Sequence, residues 1–209
     1  IVMNEMVSVV VPVYHAENYM EETMNCVRAQ TYPDWELLLV VDGPEDPTVK
    51  VIQKYLERTG EKRIHVFIQE KNQGAALARN RGVSEAKGRY IAYLDADDLW
   101  KPDKLEKEVN FMRHKNAAFA FTGYEFADEN GKGTGKVVRV PEKLTNKEAL
   151  KNTTIFTTTV MFDTKKIDKA MLEMPNMKSE DTALWWKVLR KGYIAYGLDE
   201  NLVYYRRPS

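Results

Sequence analysis

Three carboxylates fall within four residues in Asp95-Ala96-Asp97-Asp98, directly after the apolar, aromatic run Tyr90–Leu94. Like charges at that spacing repel, and a divalent cation held through oxygen ligands would neutralise them. Their place adds to their composition, because ligands of open α/β sheets sit beyond the carboxyl ends of the strands. Helix capping by Asp98 or Asp103 accounts for one acid but poorly for three. The cluster therefore reads as a cation site.

Other groups able to do chemistry stand where apolar runs stop. Tyr14, after Pro12-Val13, offers a ring on which a base could stack, with a core tyrosine as the equal alternative. Asp42 ends the run Trp35–Val41, placed either to accept a hydrogen bond from a ring N–H or to cap a turn. Asn72-Gln73-Gly74 opens a helical segment whose first turn offers unpaired backbone N–H groups. Arg79 and Arg81 follow on that segment; either could pair with phosphate, although a solvated helix face is the commoner fate of arginine. Glu180-Asp181 stands at a predicted helix start, where the macrodipole favours an anion. Plain capping competes there, and a general-base role requires Asp181 to face the cation site. Each signal alone is weak; together, at the ends of the first, second and fourth predicted strands, they are strong.

The elements that must position these groups are legible from periodicity. Val7–Val13, Trp35–Val41, Ile64–Ile68 and Tyr90–Leu94 are continuous apolar or β-branched runs, as expected of strands buried on both faces. Between them, Met20, Met24 and Val27, then Val49, Ile52 and Leu56, then Ala75–Ala86 carry helical spacing or helix-forming residues. Such alternation specifies βαβ units around a mostly parallel sheet flanked by helices. After Trp100 the pattern changes. A helix is predicted through Leu105, Val109 and Met112, with Pro102 in its first turn. Phe119–Phe126, a turn at Asp128–Gly131 and Lys136–Val140 form a hairpin pattern, Thr153–Phe162 a further β-branched strand, and Leu184–Leu189 a closing helix. The expected architecture is one α/β domain over residues 1–209, Rossmann-like to about residue 100, with a smaller mixed β region beyond.

Composition narrows the function. Lys+Arg and Asp+Glu both number 31, a net charge of +0, which argues against nucleic-acid binding by bulk charge and against a polybasic membrane anchor. No apolar stretch approaches the ~20 residues of a membrane helix. No secretory signal is visible, since Ile1 leads directly into a strand, and the ends at Ile1 and Ser209 read as edges of a longer natural protein. Cys26 stands alone, cannot form an internal disulfide and reads as a packed thiol, which suits the reducing cytoplasm. Gly-x-Gly-x-x-Gly after a strand, the P-loop, His-Glu-x-x-His and Gly-x-Ser-x-Gly are all absent, which disfavours hydride transfer, P-loop hydrolysis and zinc proteolysis. His15, His65 and His114 are scattered, each reading as a surface or core histidine.

Taken in order, these segments resemble the family-two glycosyltransferases of the GT-A fold, which use nucleotide-sugar donors and a divalent metal. The resemblance runs through Val9–Tyr14 with Glu17 and Asn18, Leu39–Gly43, Asn72–Gly82, Gly88–Pro102, Ser179-Glu180-Asp181 with Leu184-Trp185, and Tyr205-Arg206. It implies that Pro12, Tyr14 and Asp42 hold the uracil of a UDP-sugar, that Arg79 contacts base or diphosphate, and that Asp95 contacts the ribose. Glu17, Asn72, Gly74 and Ala96 belong to the same nucleotide-binding segments. By the same resemblance Asp97 holds Mn²⁺ or Mg²⁺, Asp181 is the catalytic base with Glu180 beside it, and transfer inverts the anomeric centre. Residues 118–131 look most like bacterial transferases of teichuronic-acid and surface-polysaccharide synthesis. The implied partners are a UDP-sugar and a saccharide or lipid-linked saccharide acceptor, with no nucleic acid, in the cytoplasm or at the cytoplasmic membrane face. Two departures stand out. Val41-Asp42-Gly43-Pro44 replaces the family's Asp-Asp-Gly-Ser, losing one acid but keeping Asp42, and Pro208 stands where many relatives carry a histidine, which puts an extra metal or phosphate contact in doubt.

Three rivals share parts of this pattern. A phosphohydrolase using Asp95 and Asp97 would place the motif on its first strand with Thr or Val where Leu99 stands. A nucleotidyltransferase would bring a glycine-rich basic loop where Pro12-Val13-Tyr14 stands. A non-catalytic nucleotide-sugar-binding module would keep Tyr14, Asp42 and Asp97 but need no base.

Overall fold

The computed structural model describes residues 5–149 and 155–207. Strands β1 (Val7–Val13), β2 (Trp35–Val41), β3 (Ile64–Ile68) and β4 (Tyr90–Tyr93) lie parallel in the order β3-β2-β1-β4. Every β2 residue is buried, as is all of β1 except half-buried Pro12, which explains why their sequences do not alternate. Side-chain parity sorts the helices onto two faces. Val9, Val11, Leu37 and Leu39 pack with α1 (Met20–Arg28) and α2 (Thr48–Thr59), whereas Val10 and Leu38 pack with α3 (Ala75–Glu85). The α3 backbone comes so close to β1 that a Cβ on Gly82 would stand 2.5 Å from Val10 Cγ1.

Pro12 sits inside β1 without breaking it. Val10 O accepts from Leu94 N and Val13 O from Asp42 N, so even-numbered residues of β1 turn their amide groups toward β4. The β1–β4 pairing ends at Val10↔Tyr93, so the missing N–H of Pro12 removes no ladder bond.

The second half continues the same sheet. It holds β5 (Leu99–Trp100), α4 (Lys104–Lys115), β6 (Phe119–Ala127), β7 (Gly133–Val138), β8 (Lys143–Leu144), α5 (Asn146–Ala149), β9 (Met161–Asp163), α6 (Glu180–Arg190) and β10 (Ala195–Arg206). β9 is the hinge between the halves, antiparallel to both β4 and β6; β10 then pairs parallel with β6 and antiparallel with β5 and β8. Apolar residues of α4 join the core face of α1 and α2, and those of α6 join the face of α3. The result is three layers, with the expected parallel centre and mixed C-terminal strands in one sheet.

Three local expectations need correction. The predicted strand Thr153–Phe162 has residues 153 and 154 outside the described part; Thr157–Thr159 form a 3₁₀ turn, and a strand starts only at Met161. Threonine hydroxyls compete with the ladder here, with Thr159 Oγ1 donating to Phe156 O at 2.7 Å. β10 was not expected at all, because Asp199-Glu200-Asn201 interrupts its pattern where the register with β6 shifts. Pro102 precedes α4 instead of entering it, and Asp103 at the N-cap makes no capping bond, pairing with Lys107 Nζ at 3.1 Å.

An ion pair lies wholly inside the second half. Lys104 and Glu108 on α4 are both fully buried, with Nζ–Oε1 at 2.5 Å and the ammonium 4.3 Å from the Trp100 ring centre. Burial pushes the Glu108 carboxyl up to about 7 and pulls the Lys104 ammonium down. Lys104→Met is expected to lose about 3–5 kcal/mol of stability, because it strands an uncompensated buried carboxylate. Lys104→Met with Glu108→Leu should recover most or all of it. The folded-state pKa of Glu108 lies above its unfolded value, so protonation favours the fold and stability is lost as pH rises through about 7. Urea titrations at pH 5 and pH 8 should therefore show the single variant's deficit shrinking at the lower pH. An equal deficit at both would contradict this account.

Candidate active site

A cleft of about 550 Å³ opens at the carboxyl ends of β1, β2 and β4. Pro12, Tyr14 and His15 form one wall, Asp42 and Asn72 another, and Gly74, Arg79, Asp95, Ala96 and Asp97 close it. Groups separated by some eighty residues in the chain thus share one space, because parallel strands end on the same edge of the sheet.

Tyr14 is 58% exposed, its ring edge-on to His15 at 4.3 Å, so it is not a core tyrosine. Asp42 is 7% exposed and organises the opposite wall, accepting from Gln73 N at 2.7 Å and Gly74 N at 3.0 Å. Gly74 reaches it in a left-handed conformation, φ 94°, that favours glycine. Two amides expected to face a ligand are thus already held, yet each Asp42 oxygen keeps a further lone pair for a ring N–H.

The two arginines of α3 part company. Arg81 pairs with Glu85 at 3.3 Å along the helix surface and lies over the Phe67 ring. Arg79 is 6% exposed, with Nη2 on Asp95 Oδ1 at 2.8 Å and Nη1 on Glu180 Oε1 at 2.9 Å. Burial disfavours its charge, but Asp95, Glu180 and Asp181 outweigh that and raise its pKa. Its Nε is buried without a partner among the described residues. Arg79 is thus a brace between the loop after β4 and the start of α6, with one donor left over.

The three clustered aspartates have three different fates. Asp95 pairs with Arg79. Asp98, 3% exposed, accepts from Thr158 Oγ1 at 2.6 Å and Arg206 N at 3.2 Å, and burial pushes its carboxyl well above the usual range. Asp97 is exposed, and its carboxylate makes no ion pair among the described residues, while Arg206 Nε holds its carbonyl at 2.8 Å. Desolvation by its surroundings and the charge of Asp95 raise the Asp97 carboxyl. Only Asp95 therefore has a cationic partner; its charge still raises both Asp97 and Asp98, and Asp97 stands in the cleft without an ion pair among the described residues. A carboxylate oxygen donor without an ion pair in the cleft fits Mg²⁺ or Mn²⁺, which takes one or two carboxylates and completes its shell with phosphates and water.

Asp181 enters from the other layer. Ser179 at the α6 N-cap is left-handed, φ 56°, and makes no side-chain capping bond. Asp181 Oδ1 accepts from Thr182 N at 2.8 Å, and Oδ2 accepts from Thr157 Oγ1 at 2.6 Å. The neighbouring Thr158 accepts from Asp95 N and donates to Asp98. Two adjacent threonines thus join Asp181 to the acidic loop, on the same side of the molecule.

Residues 8–171 match the family described as glycosyl transferase family 2. The chain belongs to glycosyl transferase family 2. Among its relatives, TuaG of Bacillus subtilis, a glycosyltransferase assigned to teichuronic acid biosynthesis, is 45% identical over 96% of this chain and 79% of its own length. The Escherichia coli UDP-Glc:α-D-GlcNAc-diphosphoundecaprenol β-1,3-glucosyltransferase WfgD is 34% identical over 91% of this chain and 72% of its own. In fold, the chain resembles Staphylococcus aureus TarS in complex with UDP-GlcNAc, with TM-score 0.79, 21% identity and 98% of this chain covered. The chain spans 59% of that TarS chain. The expected GT-A fold is the one observed.

Not every family position falls where the resemblance implied. Glu17 does not line the cleft. His15 N donates to Asp46 Oδ2 and Ala16 N to Thr48 Oγ1, which pins this segment to the start of α2 and carries Glu17 toward Asp46. Glu180 and Asp181 also stand outside the cleft lining, Glu180 engaged by Arg79 and Asp181 by Thr157. The residues that sequence reasoning missed are Thr157 and Thr158, hidden in a β-branched run, and the role of Arg206. Arg206 is 4% exposed, and its guanidinium spans Asp97 O, Glu129 O and Glu22 Oε2 over the Tyr19 ring. Cys26 is the packed thiol expected, its pKa pushed up to about 12 by burial.

Proposed function

We propose that this family-two transferase moves a sugar from a UDP-sugar to a hydroxyl of a lipid-linked saccharide during bacterial surface-polysaccharide synthesis. The observation that carries the reading is the Asp97 carboxylate, without an ion pair in a cleft whose other acids are engaged, with Asp181 bonded to Thr157, whose neighbour Thr158 bonds the acidic loop. Tyr14 offers a stacking face and Asp42 an acceptor for the uracil N–H. A divalent cation held by Asp97 would stabilise charge on the departing diphosphate. Asp181 takes the acceptor hydroxyl proton as that oxygen attacks the anomeric carbon from the face opposite the diphosphate, inverting the centre. Arg79 keeps Asp95 and Glu180 in place. Residues 1–100 serve the donor and residues 101–209 the acceptor. The relatives' names support this choice of donor and acceptor. No helix among the described residues is long and apolar enough to cross a membrane, so a lipid-linked acceptor would be met at the membrane surface.

A thermal-shift panel tests the reading. UDP with Mn²⁺ at a hundredfold excess over its Kd should add about 2.7 kcal/mol, or roughly 5–10 °C for a chain of this size. An equal shift with GDP would defeat the uracil assignment, and a UDP shift indifferent to Mn²⁺ and Mg²⁺ would defeat the role of Asp97.

A further inference from the structure

We infer that Thr157 is the positioning residue for Asp181, setting the base in register with the acidic loop; the inference rests on Asp181 being the base. Thr157 is 1% exposed, and its hydroxyl has a single acceptor among the described residues, Asp181 Oδ2 at 2.6 Å. An ionised carboxylate can only accept, so the hydroxyl must donate. With Thr182 N on Oδ1, the two oxygens are held from two directions, which fixes both rotamer and carboxylate plane. What remains free is a lone pair to receive the acceptor proton; the Thr157 proton stays where it is.

The turn that carries Thr157 is itself tied down at each residue. Thr159 Oγ1 donates to Phe156 O at 2.7 Å. Thr158, fully buried, uses its hydroxyl on Asp98 at 2.6 Å and on Asp95 N at 3.2 Å, and its carbonyl on Trp100 Nε1 at 2.9 Å. One peptide unit therefore separates the bond that holds the base from the bonds that hold the loop bearing Asp97. Asp181 belongs to α6 and Asp97 to the β4 end, and this turn and the Arg79 brace are polar links between those elements, beside the packing of Trp185 on Tyr93. The brace reaches Glu180, whereas the turn reaches the base. A hydroxyl on a rigid turn suits this task better than a longer charged side chain, because it fixes distance without adding charge beside the attacking oxygen.

The test compares Thr157→Val, which keeps the shape and removes the donor, with Thr157→Ser, which keeps the donor. The assay is UDP release from UDP-glucose with a GlcNAc-diphospholipid acceptor, the pair specified in the WfgD name. Thr157→Val should lower kcat about 10- to 100-fold, as loss of a hydrogen bond to a charged group and of reacting geometry predicts. KM for UDP-glucose and Kd for UDP with Mn²⁺ should stay within about twofold, and Thr157→Ser should restore most of kcat. In an Asp181→Asn background, Thr157→Val should add no further loss. A kcat within about threefold of wild type in Thr157→Val overturns the inference. A loss shared equally with donor affinity, or one that serine does not repair, does so too, since it marks a merely structural residue. If Thr157→Val does not fold, Thr157→Ala against Thr157→Ser makes the same comparison. Near-normal turnover in Asp181→Asn would instead overturn the base assignment itself, a distinct result.

Discussion

Asp181→Asn is expected to cut transfer by about 10²- to 10⁴-fold, the usual contribution of a positioned acid or base, while UDP still binds with Mn²⁺. Asparagine has nearly the same shape: its amide oxygen can still accept from Thr182 N, and its amide N–H can donate to the Thr157 hydroxyl, so the start of α6 should stay in place. Arg79 keeps Asp95 and Glu180 as ion-pair partners, so the brace survives the loss of one nearby charge. What the amide cannot do is take a proton from the attacking hydroxyl. Single-turnover UDP release and calorimetric UDP binding separate the two consequences. A variant that loses UDP affinity while its chemical step is unimpaired would make Asp181 a binding residue. One that turns over normally would point to a module without a base in this position.

Asp97→Asn should remove metal-dependent transfer, a loss of about 10³-fold or more if the cation supplies some 4 kcal/mol of transition-state stabilisation. Its effect on the fold should be the reverse of harmful. Desolvation and Asp95 raise the Asp97 carboxyl above its unfolded value, so at neutral pH the ionised form is a small burden on the native state. Melting in EDTA should then show Asp97→Asn as stable as the wild type or slightly more so. Asp98→Asn makes the contrast: it is buried and bonded to Thr158 and Arg206, and its replacement should disturb the loop itself. A clear drop in melting temperature for Asp97→Asn, or activity that still responds to Mn²⁺, would mean that Asp97 is a structural acid.

These two expectations grow from different parts of the record. That Asp42 and Asp97 are worth testing could be read in the chain, because continuous apolar runs such as Trp35–Val41 announce buried parallel strands, and their ends must share an edge; Asp181, at a helix start, follows from the family resemblance. The reason first given for the acidic cluster was too simple. A cation was invoked for all three aspartates, yet Asp95 is answered by Arg79 and Asp98 by Thr158 and Arg206, partners 16 to 108 residues away. No spacing rule reaches that far. The choice between Arg79 and Arg81 was equally closed to sequence, since two residues on one helix differ by about 200° in direction and only packing on the sheet decides which turns inward.

The chain alone thus determined the strand and helix order of the first half, the family, and the short segments that edge the cleft, because these depend on local periodicity and on contiguous motifs. Tertiary structure alone decided which carboxylate stays without an ion pair, which are engaged, and that a turn of three threonines joins Asp181 to the acidic loop. Those outcomes depend on hydrogen bonds between side chains brought together by sheet order, and a hydroxyl in a β-branched run carries no mark of the partner it will meet.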